Sequence, residues 1–420
     1  MRSVFALAAI AAAISPATPA PPPAPTFPPG ILYATDDVGG QVFGVSPNPS
    51  KTFSHATVQG TGLPDLAFGA NGHLYVVRNS PGAVLEIDET GAVVAQLGDN
   101  TLLPDAQGIT FGPSGNLFVV TAGAGAVAEI TSSGTPVRTI GGGMPMVAPR
   151  DVALDVRGNL YVSSSGTNSI FVFNPCGELV REFGADAGLS EPGQLLFGPG
   201  NELLVASRGN RKILRFDVYG STTAELPLGT AVPRGLALTP DGRLLVAVEG
   251  SSSLLVFEPD GDLAGTVAMP SGSQPAGLAF APLRFQANVV GTVARHGKST
   301  LKINEKAALT YFPGQLQAFL SFTDSAQSAV DVASLSGMST YCFSGNEIIE
   351  GTNLGSRTFL GSQVPWPARA DGAFSVVLGF TAKVDPITGA VSAPKAKGTL
   401  YHATAGALLQ ATVTTTKVLK

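Results

Sequence analysis

The residues able to do chemistry are few, and they fall at matching points of a repeated phrase. At one such point stand Pro64, Asp65, Gln107, Arg150, Asp151, Gln194 and Arg234; at a second stand Asp36, Asp37, Arg78, Asn79, Ser164, Ser165, Arg208 and Glu249. Carboxylates, guanidiniums and amides gathered at one opening could hold a peptide, a glycan or a partner protein through charge-assisted hydrogen bonds. Carboxylate and amide oxygens could also grip a hard divalent cation such as Ca²⁺. Nucleophilic chemistry is poorly supplied. The 420 residues include four His and two Cys, and no Gly-x-Ser-x-Gly elbow, His-Glu-x-x-His pair, phosphate loop or Cys-x-x-Cys occurs.

These positions are set by an internal repeat. Leu66-Ala67-Phe68 followed by Gly72-His73-Leu74-Tyr75-Val76 returns as Ile109-Thr110-Phe111 with Gly115-Asn116-Leu117-Phe118-Val119, and as Val152-Ala153-Leu154 with Gly158-Asn159-Leu160-Tyr161-Val162. It continues through Leu195-Leu196-Phe197, Leu236-Ala237-Leu238 and a last half, Leu278-Ala279-Phe280. From Phe68 through Phe111, Leu154, Phe197, Leu238 and Phe280 the intervals are 43, 43, 43, 41 and 42. A period of 40 to 50 residues carrying several short strands and Gly turns is the signature of β-propeller blades. The segment Ile31-Leu32-Tyr33-Ala34 matches a second strand lacking its first, and Ala276 to Phe280 is a first strand lacking the rest. Joined, they close a ring of six blades and remove its exposed edges. Inner strands begin, and second strands end, on one face of such a ring, so both sets of polar residues converge on the mouth of its central channel.

The phrase resembles NHL repeats, most closely in Pro149-Arg150-Asp151-Val152-Ala153-Leu154-Asp155 with Gly158-Asn159-Leu160-Tyr161-Val162, and nearly as closely in Pro233-Arg234-Gly235-Leu236-Ala237-Leu238. The resemblance covers about residues 30 to 283 and implies a fold more than a function, since such propellers serve as binding modules, scaffolds and enzymes. It departs at one point. The Asp that NHL repeats commonly carry after the second strand is Asp36 in the first unit and then Arg78, Thr121, Ser164, Ser207 and Val248.

Propeller enzymes set tests of their own. Lactonases of the gluconolactonase type hold one divalent metal with a Glu and two Asn, whereas this mouth offers Asp36, Asp65, Asp151, Glu249 and the single Asn79. Propeller lyases depend on channel histidines; here the propeller has His55 and His73 only, and His73 falls at the start of a second strand, away from the mouth. The expectation is a non-enzymatic site without a cofactor, lined by Asp36, Asp65, Arg78, Asn79, Arg150, Asp151, Arg208, Arg234 and Glu249. The alternative is a hydrolase or lactonase with a divalent metal, Ca²⁺ or Zn²⁺, at the same mouth.

The rest of the chain supplies address and attachment. Arg2, the apolar run Val4 to Ile14 and the small residues Ser15-Pro16-Ala17 read as a signal peptide, 1–17, cleaved after Ala17, with a Pro-rich leader at 18–30. The run is too short for an anchor, which needs about twenty apolar residues, so the expected location is exported: periplasmic, cell-surface or extracellular. Residues 1 to 283 carry 13 basic against 23 acidic side chains, and residues 284 to 420 carry 12 against 7, summing to the net −5 of the chain. No basic footprint for nucleic acid is present on the propeller.

Where the charge reverses the repeat also stops, which places the boundary between a propeller at 31–283 and a C-terminal β domain at 284–420. Seven strands are expected in the latter, from Ala287–Val293 to Leu408–Val413, forming a β-sandwich or small barrel. Trp366 in Val364-Pro365-Trp366-Pro367, with Tyr311, Tyr341 and Tyr401, could stack on a glycan or lie in the core. Cys176 in a blade turn and Cys342 in a C-terminal strand could form a disulfide in an oxidising compartment. The whole reads as an all-β, exported binding or scaffold protein of the cell envelope.

Overall fold

Each copy of the phrase folds as a four-stranded antiparallel blade because its apolar runs are short and β-rich and are separated by Gly turns that admit left-handed backbone. Gly72, Gly115 and Gly158, at φ +85°, +80° and +77°, turn the first strand into the second. The computed structural model describes residues 31–45, 52–60, 62–69, 71–112, 115–155, 158–198, 202–239 and 243–282 with their side chains, and the backbone of strands between 283 and 419. The signal-peptide and leader assignments, 1–17 and 18–30, and Trp366 lie outside the described residues. No helix among the described residues is long and apolar enough to cross a membrane.

Six four-stranded sheets make the propeller. Blades 2 to 6 take consecutive strands and begin with inner strands Leu66–Phe68, Ala106–Phe111, Pro149–Leu154, Pro192–Phe197 and Pro233–Leu238. Blade 1 is assembled from both ends of the repeat. Its inner strand, Pro275–Phe280, pairs with Leu32–Asp36, which leads into Gln41–Val45 and Phe53–Thr57. The closing register sets Leu32 opposite Phe280, Tyr33 opposite Ala279 and Ala34 opposite Leu278. Next to it, the Ala281 N–H donates to the Ile31 carbonyl at 2.8 Å.

The second strands are buried along almost their whole length because both faces are covered. Ile31 and Tyr33 pack into the interface with blade 2, whereas Leu32 and Ala34 alternate into the interface with blade 6. Four further buried clusters fill the remaining blade-to-blade junctions, so the core is a ring of six wedges. A recurrent edge-on aromatic pair marks these wedges: Tyr33 meets Phe68 at 5.6 Å, Tyr75 meets Phe111 at 4.9 Å and Tyr161 meets Phe197 at 5.1 Å between ring centres. Outer strands such as Val93–Leu97 and Leu179–Phe183 stay largely exposed.

Two residues after blade 1 the chain enters eight antiparallel strands, Leu283–Arg295 to Ala407–Leu419, which close into a barrel when the last pairs with the first. Of the sandwich and barrel expected from the sequence, the backbone takes the barrel. The strands are longer than expected, and an eighth, Ser356–Gly361, was not anticipated. Cys176 is exposed and free among the described residues, and the side chain of its expected partner, Cys342, lies outside them.

Candidate functional site

A pocket of about 130 Å³ opens at the channel mouth, lined by the starts of the inner strands (Pro64, Asp65, Gln107, Arg150, Asp151, Gly193, Gln194, Arg234 and Ala276) and by Arg208 after the second strand of blade 5. Its floor is built by one position repeated around the ring, occupied by Asp65, Gly108, Asp151, Gln194, Gly235 and Gly277 in turn. Each long side chain reaches across to the next blade. Asp65 Oδ2 accepts the Ile109 N–H at 2.9 Å, Asp151 Oδ2 accepts the Leu195 N–H at 2.7 Å, and Gln194 Oε1 accepts the Leu236 N–H. The glycines leave room for them. A Cβ on Gly108 would lie 2.5 Å from the Asp151 Cα, and one on Gly277 would lie 2.6 Å from the Asp65 Cα.

Asp65 and Asp151 are 6% and 5% exposed. Asp65 Oδ1 accepts from Gln194 Nε2 at 3.3 Å, while Asp151 Oδ1 finds no ordinary donor. The two carboxyls interact with each other instead. Burial pushes Asp65 up to about 7, against the pull of the Ile109 and Leu66 N–H groups. Burial first, and then the Asp65 charge, pushes Asp151 well above the ordinary carboxylate range. Such a pair is stable when it shares a proton.

Above this floor stand three guanidiniums. Arg208 donates to Glu249 Oε2 and Arg234 to Asp37 Oδ2, both at 2.6 Å. Arg150 is solvent-exposed and reaches only neutral acceptors, Ser165 Oγ and Gln107 Oε1, at 3.5 Å each. Among the described residues it joins no ion pair.

Of the nine residues expected at the site, Asp65, Arg150, Asp151, Arg208 and Arg234 line the pocket, and Glu249 adjoins it through Arg208. Asp36, Arg78 and Asn79 do not line it. Asp36 is buried and accepts the Gln274 N–H at 2.9 Å and the Val38 N–H at 3.3 Å, which fixes the entry to the closing strand. Ser164 and Ser207 at the equivalent positions accept the Val147 and Ser190 N–H groups, both at 3.0 Å. The position after the second strand is therefore a loop cap in these blades. Arg78 is turned outward, donating to the Pro81 and Gln59 carbonyls and to Gln96 Oε1. Asn79 stands beside Gly62, whose N–H in turn donates to the Asp37 carbonyl. Gly193 and Ala276 also line the pocket, and with no polar side chain they were invisible to a search for polar side chains.

Replacing Asp36 with Ala orphans the half-buried Gln274 N–H. The expected cost is about 1–3 kcal/mol of stability in denaturant unfolding. Ligand binding at the mouth, read on the folded variant, should be unchanged.

The donor set of a lactonase-type metal is not assembled here. Glu249 is engaged by Arg208, Asp36 caps a loop, Asn79 is outside the pocket, and the two remaining carboxylates share the pocket with three arginines. His73 lies away from the mouth, with Nδ1 2.7 Å from Glu86 Oε1.

No family model matches the chain, and no curated protein matches its sequence. Several solved structures match the chain at low identity. A protein of unknown function from Bacteroides caccae is 13% identical with a TM-score of 0.49, covering 60% of this chain and 98% of its own. The virginiamycin B lyase of Staphylococcus aureus is 17% identical with a TM-score of 0.47, covering 69% and 93%. A gluconolactonase of Xanthomonas campestris is 16% identical with a TM-score of 0.45, covering 72% and 95%. The chain is a six-bladed β-propeller. Functional inference rests on the pocket.

Proposed function

We propose that this is an exported, non-enzymatic binding or scaffold protein whose NHL-like propeller holds a peptide, glycan or partner protein at the channel mouth, while the C-terminal β domain positions it. One observation carries the reading: polar side chains from successive blades converge on one pocket over a floor whose three long side chains, Asp65, Asp151 and Gln194, each bond the next blade. Pre-organisation of this kind favours recognition, because little ordering entropy is lost when a ligand enters.

The test has two arms. Peptide and glycan arrays are probed with the wild type and with an Arg234→Glu variant, whose reversed charge faces Asp37. A class of ligand retained by the wild type and lost by the variant supports the reading; binding indifferent to the mouth overturns it. In parallel, thermal unfolding is followed with EDTA and then with Ca²⁺ or Zn²⁺, since a ligand bound only by the native state raises the melting temperature. A metal-dependent rise abolished by Asp151→Ala would replace the reading with the metal-dependent hydrolase or lactonase.

A further inference from the structure

We infer that the group recognised at the mouth is a single carboxylate, with Arg150 as its counter-ion; this rests on the mouth being the binding site. Two of the three guanidiniums in the pocket are neutralised, Arg208 by Glu249 and Arg234 by Asp37. Arg150 is left with two contacts at 3.5 Å to neutral oxygens, so its planar fork of donors is essentially unspent. Partial desolvation, then the positive charge of Arg208 and, more weakly, of Arg234, weakens its hold on a proton, partly offset by Asp105 and Glu191. An arginine nevertheless stays charged in this setting. An oxyanion entering the pocket relieves the like-charge crowding and meets a donor geometry suited to two parallel hydrogen bonds.

The floor selects among oxyanions. Asp65 and Asp151 lie buried beneath the arginines, and with one proton shared between them they carry a single negative charge. A dianion would bring two charges against that floor, with one unpaired guanidinium to offset them. A monoanion matches the single spare positive charge. The pocket, at about 130 Å³, accommodates the acid end of a small molecule and little more. Gln194 is already committed at both ends, to Asp65 and to the Leu236 N–H, so selection falls to the guanidinium and not to the amides.

The test uses the purified full chain and calorimetric titration with sodium lactate, lactamide and inorganic phosphate. A tripeptide with a free C-terminus is compared with its C-terminal amide, which separates a free acid from a peptide end as the source of the carboxylate. The expected result is binding of lactate, of the free-acid tripeptide, or of both, with lactamide and the amidated peptide weaker by roughly tenfold or more, about 1.4 kcal/mol per decade. Phosphate should bind more weakly than the carboxylates. Arg150→Gln, a change at an exposed rim residue, should weaken the carboxylate by roughly tenfold or more, while Arg78→Gln, outside the pocket, should not. Equal binding of acid and amide, preference for phosphate, or retention in Arg150→Gln overturns the inference. So does a wild type that binds none of these probes. In each case the mouth as a binding site is judged separately, by the array comparison with Arg234→Glu.

Discussion

Replacing Asp151 by Asn raises the melting temperature at pH 8.5 by about 2–4 °C, on the scale of 1 kcal/mol for a domain of this size, and flattens its pH dependence above 6.5. Folding raises the pKa of both floor carboxyls. The native state therefore binds more protons than the unfolded chain over the interval between the two pKa values. Stability contributed by the shared proton is complete below the unfolded value near 3.8, declines as pH rises, and is lost as pH climbs through the folded value, about 7 for Asp65. Between pH 6.5 and 8.5 the wild type should accordingly become less stable.

His55, whose pKa is lowered by burial, has the opposite slope, but its effect is confined below its unfolded value of 6.5. That is why the comparison belongs above this pH. Asn keeps an oxygen for the Leu195 N–H and puts an amide donor where Asp151 Oδ1 has none. Ala in its place should instead destabilise at every pH, since the Leu195 N–H would lose its acceptor. Melting curves at pH 5, 6.5 and 8.5 decide the matter. A wild-type midpoint that stays level or rises above pH 6.5, or an Asn variant less stable than wild type at pH 8.5, contradicts the shared proton.

Gly235→Ala costs about 3 kcal/mol or more, at the upper end for overpacked sites. The residue has no left-handed backbone to preserve; the cause is proximity. A Cβ there would lie 1.9 Å from the Ala276 carbonyl oxygen, so the inner strands of blades 6 and 1 would have to separate. Backbone cannot rotate aside as a side chain can. Gly142, whose nearest neighbour for an added Cβ is Thr139 Cγ2 at 3.7 Å, provides the control. Gly142→Ala should change stability by no more than about 0.5 kcal/mol in the same denaturant titration.

The ring was legible because its signals are local and repeated. A 3-residue apolar strand, a Gly turn and a second strand recur often enough that the two orphan halves, at Ile31 and Ala276, identify each other as one blade. The pocket's seven polar residues, Gln107 and Gln194 included, could be placed for the same reason, since a fixed point in the phrase maps to a fixed point on the ring. What the repeat could not tell is where a side chain goes after leaving that point. Arg78 and Arg208 occupy adjoining positions in their phrases, yet one is captured by outer-loop carbonyls and the other by Glu249 from the next blade.

The fit of Gly108 against Asp151 and of Gly277 against Asp65 on the floor was equally hidden, because it is an agreement between blades and not a property of any one. The C-terminal strands were read short for a different reason. Polar stretches such as Asn304-Glu305-Lys306 look like interruptions, but ladder pairing uses backbone groups and runs straight through them.

The seam in blade 1 has a mechanical consequence. The chain enters at Ile31 and leaves at Ala281, and these residues are hydrogen-bonded neighbours at one end of the closing ladder. Tension between the chain before Ile31 and the barrel would load that bond first and then peel the ladder pair by pair, since the two strands are antiparallel and are pulled from the same end. Shear, which would load all the pairs together, is not available in this arrangement. The far end of the seam, clamped by Asp36 on Gln274 and by Thr35 Oγ1 on the Gly277 N–H at 2.9 Å, is the end nearest the channel mouth and the last to feel the pull.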